Sequence, residues 1–482
     1  MSHSQHLPDT QPLPPWSSEQ LQQATQGSWL NLANAQQFAR ISTDTRQVQP
    51  RDIFLALVGE RFDGHEFVAD AVAKGASAVI VSHPVASLNV PQLVVEDTRL
   101  ALGQLGAYRR QQYPHLTVLA LTGSSGKTTV KEMLGSILSE LAPTLVTRGN
   151  LNNDLGVPMM LLELLAEHRY AVMELGANHV GEIDYTSGLV QPQVAGVLNI
   201  GTAHMGEFGG RVGIAKAKSE IFNHLQAYDH NKAIAIVPAQ GDFSELVQQA
   251  AARHRTITFG VGGQVHAEQV ELYASSSTFN LVTPQGQVFI QLPFAGQHNI
   301  DNALAAASFA LAVNVPLSTI AQGLSKAQGA QGRLSFKQQG NWLIIDDTYN
   351  ANPHSMRAAA QVLAAQPGRK ILVLGDIGEL GDAAVAEHVA LGKDLARLPL
   401  SAVFAVGEFA SYTIAGLQSQ ASNINARAFR QKTELLQQLQ QFLAQFGQSS
   451  ASLLFKGSRS TRMESLIADL LAGAVSDSGE NT

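Results

Sequence analysis

The sequence has no cysteine, few charged residues and no long hydrophobic run. The lack of cysteine excludes disulfide bonds and thiolate metal sites. No stretch approaches the ~18 consecutive apolar residues of a membrane span, and the N-terminus lacks the basic start and apolar run of a signal peptide. We therefore expect a cytoplasmic protein that does not bind a membrane.

Positive charge is also scarce, since the formal net charge is -7. A nucleic-acid-binding protein that relies on bulk positive charge is disfavoured, and any phosphate site must be built locally. The 482 residues suggest about three domains, and the apolar fraction of 45% is sufficient for real cores. A monomer is the default expectation.

Apolar strands alternate with helical stretches along most of the chain, as parallel sheets with helical crossovers require. Strands are predicted at 53–57, 77–81, 92–95, 117–121, 169–174, 194–200, 233–237, 341–346, 370–376, 401–407 and 452–457. We expect an α/β protein of three domains: a small N-terminal domain (1–114), a central parallel-sheet domain (115–328) and a C-terminal Rossmann-like domain (329–482).

Two connecting features interrupt this alternation. Alternating residues around a Pro-Gln-Gly turn predict a β-hairpin at 276–294. The run AQGAQG at 327–332 has the composition of a linker, and we expect it to be the hinge between the last two domains.

The most specific motif is ALTGSSGKTTV at 120–130, where an apolar strand ends in a small-residue loop before a helix. Glycines let backbone N–H groups face a polyphosphate, while Lys127 supplies a charge and the Thr128 hydroxyl can bind Mg²⁺. A chance Gly/Ser turn before a Lys-Thr pair is the alternative, and the strand–loop–helix context favours a shortened phosphate loop. The predicted ATP-binding residues here are Gly123, Ser124, Ser125, Gly126, Lys127, Thr128 and Thr129.

Three other positions carry chemical information by themselves. Glu174 ends an apolar strand, where its carboxylate could share a Mg²⁺ with Thr128 or could simply be solvated. His204 follows another strand and could be a ligand, although a single histidine is more often a surface or packed side chain. Asn299 could cap a helix that starts in GQHNIDNALAA.

The phosphate loop resembles that of the Mur ligases and folylpolyglutamate synthetases, and the similarity extends in order over about residues 40 to 470. The matching runs lie at 42–76, 149–158, 173–183, 346–356 and 455–465. The first resembles the UDP-binding domain of Mur ligases. The others imply ATP-dependent addition of D-alanyl-D-alanine to UDP-N-acetylmuramoyl-tripeptide through an acyl phosphate, in cytoplasmic cell-wall precursor synthesis.

The resemblance also implies metal ligands. Glu174 and Thr128 would bind one Mg²⁺, and His204 together with Lys218 would hold a second. The lysine at this position is carbamylated in related ligases, which turns a cation into an oxygen ligand. An ordinary helix-surface lysine is the alternative, and Lys216 is a nearby competitor, although Lys218 keeps the family's spacing.

The remaining site residues rest on the same resemblance, and they fall into three groups. The ATP group comprises His298, Asn299 and Asn302 near adenine, and Arg333 and Asp347 near the phosphates and ribose. The UDP-precursor group comprises Asp44, Thr45, Arg46, Asn152 and Asn153. The C-terminal substrate edge comprises Asn350, Lys456, Ser458 and Arg459. An Asx turn would equally explain the two neighbouring asparagines, and a solvated loop would explain the basic edge.

Other functions remain as alternatives. The ligase that adds the third amino acid shares the first domain and the loop, but the sequence has no Asp-Asn-Pro-Arg run and carries Asn-Pro-His-Ser at 352–355. Folylpolyglutamate synthetases lack the UDP-binding domain. A phosphate-loop kinase or nucleotide-dependent binding module would explain 120–130 and leave the last domain unused.

Overall fold

The structure is a computed structural model, and it describes residues 13–59, 62–86, 88–201, 208–227, 233–447 and 449–477. None of the helices in these segments has the length and apolar character needed to cross a bilayer. The elements form three successive α/β units, here called the N-terminal, central and C-terminal units.

The N-terminal unit is built on a small mixed sheet. Its elements are β1 (Trp16–Ser17), α1 (Ser18–Thr25), β2 (Ser28–Leu30), β3 (Gln37–Phe38), β4 (Ile41–Ser42), β5 (Ile53–Leu55), α2 (Val68–Ala73), β6 (Ala78–Val81), β7 (Gln92–Val94) and α3 (Thr98–Gln111). The sheet order is β2-β7-β6-β5-β4, with β2 antiparallel to β7 and the other pairs parallel. Strand β6 is buried at every position, and this explains its continuous apolar sequence.

The central unit contains a parallel sheet and an antiparallel one. Its elements are β8 (Thr117–Thr122), α4 (Lys127–Ser139), β9 (Thr144–Val146), α5 (Gly156–Leu162), β10 (Tyr170–Glu174), α6 (Glu182–Val190), β11 (Val194–Val197), α7 (Arg211–Ser219), β12 (Ile234–Pro238), α8 (Ser244–Ala251), β13 (Arg255–Phe259), β14 (His266–Leu272), β15 (Ser277–Thr283), β16 (Gly286–Leu292), α9 (Gln297–Ala312) and α10 (Leu317–Lys326). The parallel order is β13-β12-β11-β8-β10-β9. The chain changes direction across the sheet at β8, so a ligand crevice is expected where β8 ends.

The C-terminal unit has a second doubly wound sheet. Its elements are β17 (Ser335–Gln339), β18 (Trp342–Asp347), α11 (Pro353–Ala364), β19 (Arg369–Gly375), α12 (Ala384–Leu395), β20 (Ala402–Val406), α13 (Ala410–Gln418), β21 (Asn425–Phe429), α14 (Lys432–Ala444), β22 (Ala451–Lys456) and α15 (Glu464–Asp477). The order is β17-β18-β22-β19-β20-β21, with β17 antiparallel to β18. Hydrophobic clusters on the two faces of this sheet are formed by residues of this unit.

The α/β organisation in three units agrees with the sequence prediction. The predicted hairpin is confirmed as β15 and β16, and a third strand, β14, pairs with β15. The predicted cap at Asn299 is wrong. Helix α9 starts at Gln297 after Gly296, and the Asn299 amide, inside the first turn, donates to the carbonyl of Ala295 at 2.8 Å.

Candidate active site

The phosphate loop between β8 and α4 is hydrogen-bonded to a residue that follows the neighbouring strand β11. The backbone N–H of Ser125 donates to Asn199 Oδ1 at 2.9 Å, and the Asn199 amide donates back to the Ser125 carbonyl at 3.0 Å. Gly126 has a left-handed φ of 78°, and a Cβ there would collide with the Asn302 side chain. Both backbone freedom and space therefore require glycine at this position.

Lys127 opens helix α4 and folds back over the loop. Its ammonium donates to the carbonyl of Gly123 at 2.9 Å. Burial lowers the pKa of Lys127, an effect that the nearby Glu174 carboxylate opposes and the Arg333 guanidinium reinforces. Arg333 and Lys127 line the same cavity, so the C-terminal unit faces the phosphate loop.

Glu174 ends β10 beside the loop, as the strand pattern indicates. Its side chain is buried, and its two carboxylate oxygens accept from the Thr128 hydroxyl at 3.1 Å and from the Asn152 amide at 2.8 Å. The structure thus places Glu174 next to Thr128, and the Mg²⁺ that they are predicted to share stays a prediction. It does not indicate that Asn152 holds Glu174, or that Asn153 Oδ1 accepts from the backbone N–H of Gly156 at the start of α5.

Lys218 is the buried lysine of helix α7, whereas Lys216 on the same helix is exposed. Burial, and then the charge of Lys127, lower the pKa of Lys218 to about 7. In the described part of the chain no hydrogen bond or ion pair engages its ammonium. The two candidate lysines thus differ in burial, and the metal-binding role of Lys218 stays a prediction.

One cavity of about 790 Å³ unites the central and C-terminal units. The predicted residues that line it are Ser124, Ser125, Gly126, Lys127, Thr128, Thr129, His298, Asn299, Asn302, Arg333, Asp347, Asn350 and Lys456. Burial, together with the charges of His354 and Lys456, lowers the pKa of His298 to about 4, so this imidazole is neutral at physiological pH. The proposed adenine side of the cavity is thus uncharged at His298.

The C-terminal wall of the cavity is organised by a buried ion pair. Lys456 Nζ, at the end of β22, donates to Asp347 Oδ2 at 2.6 Å, and Asp347 Oδ1 accepts from the backbone N–H of Leu334 at 3.2 Å. Burial raises the pKa of Asp347, and the ammonium of Lys456 opposes that shift. The Arg333 guanidinium lies 4.4 Å from the centre of the Tyr349 ring.

Ser458 and Arg459 support the rim of this wall rather than line the cavity. The Ser458 hydroxyl accepts from the backbone N–H of Gly378 at 2.6 Å. The backbone N–H of Arg459 donates to Asn350 Oδ1 at 3.4 Å, and its guanidinium pairs with Glu464 at 2.8 Å.

The predicted precursor residues of the N-terminal unit form a surface turn. Arg46 Nη2 lies 2.7 Å from Asp44 Oδ2, the Arg46 side chain is 85% exposed, and the pair lowers the pKa of Asp44 to about 2. These residues and Thr45 do not line either cavity described here. A second cavity, of about 320 Å³, lies where α3 meets α6 and includes Asp154, the neighbour of Asn153.

His204 lies outside the described residues, so its predicted metal role stays a prediction. Among the residues that are described, no group of three or more histidine, aspartate or glutamate side chains forms a metal cluster.

The sequence did not predict several residues that line the larger cavity: Asn199, Arg211, Asp242, Asp301, His354 and Arg357. Their signal was weak because they lie in different loops and helices, and only the tertiary fold brings them together.

A phosphate loop with an adjacent carboxylate, facing a second α/β unit across one cavity, is the arrangement of a nucleotide-dependent ligase. Three family descriptions match the chain in the corresponding order. They are "Mur ligase family, catalytic domain" at 37–110, "Mur ligase middle domain" at 121–310 and "Mur ligase, glutamate ligase domain" at 332–459. The chain belongs to the Mur ligase family.

Its relatives narrow the assignment within that family. The UDP-N-acetylmuramoyl-tripeptide–D-alanyl-D-alanine ligase of Escherichia coli K12 is 44% identical over 434 residues, which cover 89% of this chain and 93% of the relative. A crystal structure of MurF from Acinetobacter baumannii is 58% identical and covers 96% of this chain and 100% of its own, with a TM-score of 0.92. MurF from Thermotoga maritima in complex with ADP is 26% identical, covers 89% and 96%, and has a TM-score of 0.79.

Proposed function

We propose that the cavity between the central and C-terminal units couples ATP cleavage to amide-bond formation. The chain is an ATP-dependent ligase that joins D-alanyl-D-alanine to UDP-N-acetylmuramoyl-tripeptide and releases ADP and phosphate. The single observation that supports this location best is that Lys127 and the Asp347–Lys456 pair line one cavity from opposite units.

The proposed reaction has two steps. A carboxylate oxygen of the tripeptide attacks the γ-phosphorus of ATP, and the bond to ADP breaks, which leaves an acyl phosphate. The amine of D-alanyl-D-alanine then attacks the acyl carbon, loses a proton and displaces phosphate. Lys127 stabilises the transferring phosphoryl group electrostatically, and this is the main requirement of such transfers. Arg333 lines the same cavity from the C-terminal unit, and we propose that its guanidinium contacts the same group.

The oxygens near the loop suit Mg²⁺. This ion usually takes one or two protein carboxylates and fills its other positions with phosphate oxygens and water. The Glu174 carboxylate and Thr128 hydroxyl lie 3.1 Å apart and supply such a donor pair without a larger acidic cluster. We propose that they hold one Mg²⁺, which would neutralise phosphate charge. A second ion at His204 and Lys218 is proposed from the family resemblance.

Lys218 has the properties that carbamylation requires. Only a neutral amine can attack CO₂, and this reaction forms an N–C bond and releases a proton. Since the pKa of Lys218 is about 7, a large share of its amine is neutral at physiological pH. We propose that Lys218 carries a carbamate, whose negative charge would also lie close to the positive charge of Lys127.

The remaining proposals concern the residues that bind the UDP-linked precursor, the domain bounds, and the localisation and partners of the protein. The UDP group would contact Asp44, Thr45 and Arg46, and the exposed Arg46 guanidinium is available to exchange its carboxylate partner for a diphosphate. We propose domains at 1–114, 115–328 and 329–482. We also propose that the protein is a cytoplasmic monomer that binds neither nucleic acid nor membrane, since its substrates are ATP and a nucleotide-linked precursor.

The acceptor assay tests the proposed function directly. Phosphate release is measured with ATP and UDP-N-acetylmuramoyl-tripeptide, first without an acceptor and then with D-alanyl-D-alanine, glutamate or diaminopimelate. Among the acceptors, we expect only D-alanyl-D-alanine to give rapid phosphate release, because its amine is the one that attacks the acyl phosphate. Equal release with every acceptor, or no release with any of them, would contradict ligation of D-alanyl-D-alanine. A preference for diaminopimelate would instead indicate the ligase that adds the third amino acid.

Domain movement gives a separate prediction. The Gln366 amide of the C-terminal unit donates to the Ala274 carbonyl of the central unit at 2.6 Å, away from the cavity lining. Because the chain has no cysteine, the pair Ala274→Cys and Gln366→Cys can be crosslinked without background. We expect the crosslinked protein to lose turnover and to recover it on reduction, since substrates must enter and products must leave.

Each single cysteine variant serves as the control for that experiment and is expected to keep turnover under the same treatment. Full turnover in the crosslinked protein would show that the linker at 327–332 does not need to act as a hinge.

A further inference from the structure

A second lysine on the phosphate-loop helix is buried outside the cavity. Lys131 lies one turn after Lys127 on α4, and its side chain is only 1% exposed. Lys131 Nζ donates to the Thr147 carbonyl at 2.6 Å and lies 2.8 Å from Glu132 Oε1. Burying an ammonium is costly even when it is paired, so this position calls for a physical reason.

Thr147 connects that ammonium to Glu174. Thr147 follows β9, and its hydroxyl accepts from the backbone N–H of Glu174 at 3.0 Å and donates to the Val172 carbonyl at 3.3 Å. The backbone N–H of Thr147 also donates to the Val172 carbonyl, at 3.0 Å. The lysine therefore fixes a residue that in turn fixes the backbone from which the Glu174 side chain projects.

The same loop reaches Glu174 a second time. Asn152, five residues after Thr147, donates its amide to Glu174 Oε1, and its carbonyl accepts from the backbone N–H of Gly176 at 2.7 Å. The loop that begins at Thr147 thus forms hydrogen bonds with the backbone and side chain of Glu174 and with the backbone of Gly176. Lys131 ties the start of this loop to the helix that carries Thr128, the other proposed Mg²⁺ ligand.

We propose that Lys131 is a positioning residue for the metal site, acting through Thr147 to fix the Glu174 carboxylate relative to Thr128. The inference rests on the proposed function in one respect, namely that Glu174 binds the divalent cation. Residues that orient metal ligands typically change metal affinity by about 10- to 100-fold when they are replaced.

Arg110 provides a matched comparison for burial alone. It is also a buried cation whose donors bond to backbone carbonyls, those of Val190, Tyr113 and Leu116. None of these carbonyls contacts the phosphate loop or Glu174. Loss of Arg110 therefore reports on what removal of a buried cation does to the fold.

The test measures binding of Mn²⁺, which shares the oxygen-ligand preference of Mg²⁺, to the full chain in the presence of ADP. Free Mn²⁺ is followed by electron paramagnetic resonance, and folding is checked by thermal unfolding. We expect Lys131→Met and Thr147→Val each to raise the Kd for Mn²⁺ by about tenfold. Arg110→Met should leave that Kd unchanged, and Thr147→Ser should restore most of the affinity lost in Thr147→Val.

Wild-type Mn²⁺ affinity in a folded Lys131→Met protein would overturn the positioning role. If that variant fails to fold, Thr147→Val decides the matter in the same way. Glu174→Gln tests the proposed metal ligand separately from the proposed role of Lys131. Unchanged Mn²⁺ affinity in Glu174→Gln would refute the proposed metal ligand itself, whereas loss in Glu174→Gln with wild-type affinity in both other variants would refute only the role of Lys131.

Discussion

Lys127→Ala is expected to lower kcat/KM for ligation by about a hundredfold to a thousandfold, the usual cost of removing a preorganised group that stabilises transition-state charge. The lysine is placed for this role because its ammonium is fixed by the Gly123 carbonyl at the mouth of the loop. Phosphate release with saturating D-alanyl-D-alanine measures the loss. Retained turnover would refute the assignment of the phosphate loop.

The fold should survive this substitution. Burial lowers the pKa of Lys127, so the folded protein disfavours its charged form, and removing that charge relieves an unfavourable term. We expect the midpoint of thermal unfolding to be at least as high as in the wild type. Lys326→Ala is the matched control, because Lys326 is an exposed lysine of the same unit, paired with Glu140, and its loss should leave turnover intact.

Lys218→Ala should be nearly inactive, with kcat lowered by at least about a hundredfold, because a metal-binding oxygen group would be lost. Short carboxylic acids should restore part of the activity by supplying a carboxylate in the space that the side chain leaves. Lys216→Ala, two residues earlier and exposed, should behave as the wild type. Wild-type turnover of Lys218→Ala without additives would remove this lysine from the mechanism.

The pH dependence of the modification follows from the lowered pKa. Below about pH 7 the Lys218 amine is mostly protonated and cannot attack CO₂, and above it the amine is mostly neutral. In protein freed of CO₂, the initial rate of reactivation by bicarbonate, corrected for dissolved CO₂, should therefore rise through about pH 7 and then level off. Incorporation of isotopically labelled carbon, observed by NMR, provides a measurement independent of activity. A rate that falls over this range would contradict the assignment.

Buried strands could be predicted from the sequence because they are continuous apolar runs, as in β6, β11 and β20. Most edge strands could not, although β16 of the predicted hairpin lies at the edge of its sheet. Strand β14 is exposed over most of its length, and β21 alternates without a strong apolar face, so neither has the composition of a core strand. The failed cap at Asn299 has a related cause, since capping preference alone does not determine which residue of a polar run starts the helix.

The candidate site likewise contains some features that could be predicted from the sequence and others that could not. The loop with Lys127 and Thr128 could be predicted because its function depends on consecutive residues. The contact of Asn199 with the loop spans 74 residues, and that of Asn152 with Glu174 spans 22. Sequence similarity indicated that Asn152 matters, but only the fold shows that it touches the proposed metal ligand.

Both hydrophobic clusters of the C-terminal unit contain side chains of that unit alone. Because the hydrophobic clusters of the central unit likewise contain no residues of the C-terminal unit, we expect substitutions inside one of these two units to leave the packing of the other unchanged.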